Sequence, residues 1–126
     1  DYQGPRIYDI MTLATREQLL RTSSFKTKDC DLEGWGAVRI RELTAKQLSF
    51  LAKLDKADQE EAGRVYSRLA AMSLVDGDNG LLFDPDNAAD IEALQGKPWS
   101  SLETMAAEVI AFNGFGEKDV EGRSKN

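Results

Sequence analysis

Between Phe25 and Leu43 the chain alternates in polarity, breaks at Gly34-Trp35-Gly36, and alternates again. Phe25, Thr27 and Asp29 fall on one parity, and Lys26, Lys28 and Cys30 on the other. Beyond the break Val38, Ile40 and Glu42 share one face, while Arg39, Arg41 and Leu43 share the opposite one. Successive side chains of a strand point to opposite faces, so two such runs around a glycine-bounded bend predict a β-hairpin over residues 25–43. The bend is longer than a tight two-residue turn, which leaves the pairing register open.

Downstream the apolar period changes from two to that of a helix. Thr44 followed by Gln47 forms a capping box ahead of Leu48, Leu51 and Leu54, with Phe50 at the edge of their stripe. Asp58 with Glu61 repeats the arrangement and opens a second helix through Val65, Leu69 and Met72, whose apolar face Tyr66 and Leu74 extend. The connection Asp55-Lys56-Ala57 is short, so the two helices are expected to pack together or to merge with a kink. Leu74-Val75 and Leu81-Leu82-Phe83 flank Asp76-Gly77-Asp78-Asn79-Gly80, a pattern for a small second hairpin over 74–83 whose Gly and Asx residues supply positive φ. Asp84 is then expected to cap a short helix, with Pro85 at its first position, Ile91 and Leu94 facing inward and Gly96 past its end. Ser100 with Glu103 offers a third capping box. The last helix is expected to reach about Asn113, carrying Leu102, Met105, Ala106, Val109, Ile110 and Phe112, with Gly114 and Gly116 stopping it. Ahead of the hairpin, Thr12 or Thr15 is placed to cap a short helix bearing Leu13, Leu19 and Leu20 and ending near Thr22-Ser23-Ser24.

The expected fold is α+β, a mostly α-helical single domain over residues 11–116. A chain of 126 residues makes one domain and no more. Met11 reads as a natural start, so residues 1–10 are expected to be vector-derived or disordered, and the polar tail 117–126 is expected to fray.

The chemistry is bounded by what is missing. There is no histidine, which removes the commonest general base and the commonest zinc ligand together. Cys30 is the only cysteine, so no intrachain disulfide can form. The net charge of −6 argues against nucleic-acid binding by a broad basic surface. No run approaches the ~20 apolar residues of a membrane-spanning helix. Asp76 to Gly80 begins like a calcium loop, but Leu81 and Asn87 stand where an EF-hand needs glycine and glutamate. Asp84, Asp86, Asp90 and Glu92 could pair for acid–base work, yet acidic residues also favour the first turn of a helix. Gly114-Phe115-Gly116 follows a helix instead of preceding one, so it caps and does not cradle phosphate. The chain is therefore expected to bind proteins, not to catalyse, and to need no cofactor or metal.

Charge is unevenly distributed. Arg16 to Lys56 carries nine basic and six acidic residues, whereas Ala57 to Asn126 carries six basic and fourteen acidic. Between Leu69 and Gly96 there are six acids and no base. Such a chain could associate head to tail, or simply hold an acidic face in solvent.

Several segments together resemble the tail assembly chaperones of long-tailed bacteriophages. These are Gly34 to Thr44, a strand ending in Arg-Glu-Leu before a helix cap; Leu69 to Asp76 with Gly80 to Phe83; Ile91 to Leu94; Lys97-Pro98; Ile110 to Phe115; and the closing Lys125-Asn126. The order covers most of Leu13 to Asn126. The resemblance implies a non-enzymatic chaperone that coats the tape measure protein and helps recruit tail tube protein. It also implies self-association, a place in the cytoplasm of the host bacterium, and departure before the virion is complete. The partner-contact residues expected from these readings are Trp35, Arg39, Arg41, Trp99, Phe112 and Phe115, although both tryptophans also suit a role as lids on a small core. The alternative is a small acidic adaptor or inhibitor that binds a basic partner through the carboxylates of residues 76–92.

Overall fold

A computed structural model describes residues 12–21, 24–51 and 58–114. Strands β1 (Thr27–Leu32) and β2 (Gly36–Arg41) form the expected antiparallel hairpin. A three-residue loop, Glu33-Gly34-Trp35, fixes the register by placing Leu32 opposite Gly36, Cys30 opposite Val38 and Asp29 opposite Arg39. Gly34 and Gly36 hold φ of 86° and 84°, and the Trp35 N–H donates to the Leu32 carbonyl at 2.9 Å. Glycine adopts this left-handed region without the Cβ penalty of other residues. Lys28, Cys30, Val38 and Ile40 consequently share one face, on which Ile40 is fully buried.

Leu43 departs from the expected alternation. The strand ends at Arg41, so strand parity no longer governs Leu43, which turns into the core. Its N–H donates to Asn113 Oδ1 at 2.9 Å, tying the hairpin's exit to the far end of the last helix.

The second hairpin is smaller than expected and serves the sheet differently. β3 (Leu74–Val75) pairs antiparallel with β2, Val75 opposite Arg39 and Leu74 opposite Ile40, giving one sheet in the order β1-β2-β3. Its return arm makes a single bridge, Val75 to Leu81, supported by the Leu82 N–H donating to Leu74 O at 3.1 Å. Only Asn79 in the intervening turn has positive φ, at 67°, whereas Gly77 and Gly80 do not enter that region. The turn is held instead by the Asp76 carboxylate, whose Oδ1 accepts the N–H groups of Asp78 and Gly80 at 2.8 and 3.0 Å. Short Asp side chains commonly fold back on the backbone two residues on.

Among the described residues four helices frame the sheet, and their caps show which local signals operate. Thr44 and Gln47 exchange the two bonds of a capping box at the start of α2 (Ala45–Leu48). That helix is only four residues long before a tighter helical turn through Leu51; Leu54 and the connection 55–57 lie outside the described residues. Another helix, α1 (Arg16–Arg21), precedes the hairpin. Asp58 caps α3 (Gln59–Ser73) by accepting the Glu61 N–H at 2.8 Å, and Glu60 and Glu61 sit at the helix's positive end. Val65, Leu69 and Met72 are buried as their spacing requires. Leu74 does not extend this face, because its backbone is already extended and opens β3.

The expected cap of the short helix is corrected. α4 (Ala88–Gln95) is capped by Asn87, whose Oδ1 accepts the Asp90 N–H at 3.0 Å. Asp84 lies in a preceding turn, where its Oδ1 takes the Asp86 N–H and its carbonyl takes the Asn87 N–H. Asp84-Pro85 thus makes a local turn that defers the helix by one turn. Ile91 and Leu94 face inward and Gly96 follows the last turn.

The third capping box does not form. α5 (Trp99–Phe112) begins after Pro98, whose carbonyl already accepts the N–H groups of Ser101 and Leu102. Ser100 therefore lies inside the first turn, and its carbonyl accepts from the Thr104 hydroxyl. Leu102, Met105, Ala106 and Val109 are buried, Phe112 is half-buried, and Gly114 at φ 80° closes the helix. The core is the seam where α5 and α4 pack on α3, covered on one side by Leu32, Ile40 and Leu74 of the sheet.

The N-terminal helix stands apart from this core. Thr15 caps α1 through a reciprocal pair with Gln18, but Leu13 precedes the helix and none of its residues is buried. The expected segment 1–10, Met11, the helix end at Thr22-Ser23, Phe115, Gly116 and the tail 117–126 lie outside the described residues.

Candidate functional site

Arg39 organises the solvent face of the sheet. Its Nε and Nη2 donate to Asp29 Oδ1 and Oδ2 at 2.6 and 3.0 Å, a bidentate pair across the two strands. Nη1 of the same guanidinium reaches Gly77 O at 3.1 Å and Asn79 Oδ1 at 3.2 Å. One side chain therefore joins β1, β2 and the 76–80 turn. The pairing holds the Asp29 carboxyl below the usual carboxylate range, with the hydrogen bond from Arg39 as the main cause.

Beside this knot β2 runs on past the end of β3, since only Arg39 and Ile40 have partners there. The step leaves a shallow groove of about 620 Å³, lined by Ala37, Val38, Val75 and Leu82 together with the paired Asp29 and Arg39 and with Asp76 and Gly77 of the turn. Cys30 also lines it, and burial together with the nearby Glu108 raises its thiol pKa, which keeps it protonated and poorly nucleophilic.

Arg41 lies on the same strand but serves another place. Its Nε donates to Met72 O at 3.3 Å and its guanidinium sits 4.3 Å over the Phe25 ring. Burial lowers its pKa. Trp35 and Trp99 both flank the start of α5. The Trp35 indole donates from Nε1 to Ser101 O at 2.8 Å, and Lys97 lies 4.3 Å over its ring while donating to Gly34 O at 2.7 Å. Trp99 stacks on Tyr66 at 5.4 Å between centroids and keeps 37% of its surface exposed. Phe112 packs on the core at the opposite end of that helix. The six expected contact residues are thus dispersed: the tryptophans share one region, Arg39 and Arg41 lead to two others, and Phe115 lies outside the described residues.

Three of the six carboxylates of residues 76–92 are engaged with the backbone. Asp76 holds its own turn, Asp84 Oδ1 accepts from Asp86, and Asp90 Oδ2 accepts the Asp84 N–H at 2.8 Å. Asp86 lies 3.5 Å from Arg68. Among the described residues no group of three or more Cys, Asp or Glu side chains is placed to hold a metal ion, and no helix is long and apolar enough to cross a membrane.

What the sequence did not single out is apolar exposure. Leu13, Leu19 and Leu20 are 70%, 67% and 66% exposed, and Leu81 and Leu82 stand out from the return arm of the small hairpin. Helical or strand spacing marks such residues as apolar but cannot tell whether anything in the chain covers them. No protein-family model, curated protein or solved structure matches this chain.

Proposed function

We propose that the chain is a non-enzymatic assembly chaperone that binds protein partners through apolar surface left open in the free domain. The observation that carries this reading is the set of exposed leucines at 13, 19, 20, 81 and 82 together with Trp99. Each leaves apolar area in water that association would cover, at roughly 25 cal/mol per Å². Asp76, Asp84 and Asp90, by contrast, accept backbone N–H groups and Asp86 faces Arg68, which takes these four away from acid–base chemistry. With the segments from Gly34 to Asn126 that resemble phage tail assembly chaperones, the partners proposed are the tape measure protein and tail tube subunits. The place proposed is the cytoplasm of an infected bacterium before the virion is complete.

The test is co-purification and calorimetry of the full chain with helical fragments of phage tape measure proteins and with tail tube subunits. Binding that weakens when Leu81 and Leu82 are both changed to Asp, with an unchanged far-ultraviolet circular dichroism spectrum, is the expected result. Absence of binding to either partner class would overturn the assignment.

A further inference from the structure

The side-chain acceptors at the start of α2 are spent on its own backbone. Thr44 Oγ1 takes the Gln47 N–H and Gln47 Oε1 takes the Thr44 N–H, while the Ser49 hydroxyl donates to the Lys46 carbonyl. These four residues line a concavity of about 420 Å³ between α2, α3 and the Pro85-Asp86 turn, and its charged residues are Lys46, Arg68 and Asp86. What remains there for a ligand is chiefly donors: the exposed Lys46 ammonium, the Gln47 amide nitrogen and the Arg68 guanidinium.

Arg68 is the least satisfied of these groups. Among the described residues its Nε is buried without a hydrogen-bond partner, and its Nη2 lies 3.5 Å from Oδ1 of Asp86, a side chain that is 86% exposed. The Phe50 ring packs under the guanidinium, 4.6 Å from its central carbon. Arg39 shows the same fork filled, since its Nε and Nη2 meet the two Asp29 oxygens at 2.6 and 3.0 Å.

We infer that this concavity receives a carboxylate side chain of a partner protein, held by Arg68 and Lys46 with its apolar neighbours against Phe50 and Met72. The site carries two cations and one anion within a chain of net charge −6, so its sign is opposite to that of the molecule. Asp86 is the exchangeable occupant: a long pairing with an exposed carboxylate contributes little, whereas a seated carboxylate makes charge-assisted hydrogen bonds. Asp86 also selects among anions, because its repulsion of a dianionic phosphate is greater than its repulsion of a monoanionic carboxylate. This inference rests on the reading of the chain as a binder of proteins, but it uses none of the exposed leucines that carry that reading.

The experiment is a nuclear magnetic resonance titration of the full chain with acetyl-Leu-Glu-Leu-amide, whose only charge is the glutamate carboxylate. The Arg68 Nε–H and Gln47 side-chain amide signals are followed, with acetyl-Leu-Gln-Leu-amide and inorganic phosphate as the other probes. The Glu peptide is expected to shift both signals saturably and to leave the Arg39 Nε–H in place. The Gln peptide is expected to shift neither, and phosphate to bind more weakly than the Glu peptide. Followed at Gln47, Arg68→Lys is expected to weaken the Glu peptide about tenfold, because a lysine keeps the charge and loses the fork. Lys46→Gln, at an exposed position, is expected to weaken it as well, and Asp86→Asn to tighten it. Equal binding of the Gln peptide or of phosphate, weaker binding after Asp86→Asn, or no shift at millimolar Glu peptide would each overturn the inference. Changing Leu81 and Leu82 to Asp is expected to leave this titration unaltered, so its failure and the failure of tape measure binding are distinguishable.

Discussion

Gly34 lies so close to Ser101 that a Cβ placed on it would stand 2.2 Å from the Ser101 hydroxyl oxygen and 3.0 Å from its Cβ. The hairpin loop is thereby pressed onto the first turn of α5, and only a residue without a side chain permits the approach.

Gly34 and Gly36 separate two causes of glycine dependence. Both have left-handed φ, but a Cβ at Gly36 meets nothing within 4 Å. Gly36→Ala should cost only the backbone penalty of about 1–2 kcal/mol, whereas Gly34→Ala adds an overpacking cost for a total of about 2–4 kcal/mol. Urea unfolding of both variants gives the comparison directly. Ser101→Gly in the Gly34→Ala background should recover part of the difference, and equal losses at the two glycines would count against the contact.

The Arg39 knot predicts a non-conservative Arg-to-Lys change. A lysine ammonium can meet one Asp29 oxygen but cannot also reach Gly77 O and Asn79 Oδ1 in the same geometry. Arg39→Lys should leave β1–β2 pairing in place and loosen the 76–80 turn. Native-state hydrogen exchange reads this as faster exchange at the Asp78 and Gly80 amides with little change at Cys30 and Val38. Uniform acceleration across the sheet would show that Arg39 acts on global stability instead.

The contrast between elements that were legible in the sequence and those that were not follows from the range of the interactions. The Thr44–Gln47 box, the Asp58 cap and the β1–β2 hairpin all close within a few residues of themselves, so their signals are complete locally. Ser100–Glu103 carries the same residue types, yet the Pro98 carbonyl starts the helix earlier and takes Ser100 out of the cap position. Asp84 similarly loses its cap to Asn87, because its carboxylate and carbonyl are taken up in the turn with Pro85, Asp86 and Asn87 that precedes the helix. Leu74-Val75 was legible as one arm of the small hairpin, but its pairing with β2 was not, because two residues carry no periodicity and their partners on β2 are distant in sequence. The groove beside β2 exists only because β3 is that short, so it was invisible for the same reason. Trp35 and Trp99 were named as candidates, but Lys97 and Ser101, which hold Trp35, are recognisable only once α5 is docked on the loop.

Trp35 therefore gives a test of that docking. Trp35→Phe keeps an aromatic ring under Lys97 and removes the Nε1 bond to Ser101 O, leaving a half-buried carbonyl with one fewer donor. The expected loss is about 1 kcal/mol, with the denaturant midpoint lowered and the slope unchanged. Trp99→Phe retains a ring against Tyr66 at a more exposed position and should cost less. The reverse order would place the structural anchor at Trp99.

Acid sensitivity should be traceable to Asp29. Arg39 lowers the Asp29 pKa in the folded chain, so the unfolded chain binds this proton more readily. The pair's stabilisation is then complete above the ordinary carboxylate pKa and is lost as pH falls through the lowered folded value. Arg39 remains charged throughout and keeps its bonds to Gly77 and Asn79, so the acid step reports Asp29 and not collapse of the whole knot. Asp29→Asn lacks the titrating group at every pH. Urea midpoints of wild type and Asp29→Asn should therefore differ most near neutrality and converge as the pH drops from about 5 toward about 2. A difference that persists undiminished at the acid end would mean that the carboxylate contributes through packing, not through its charge.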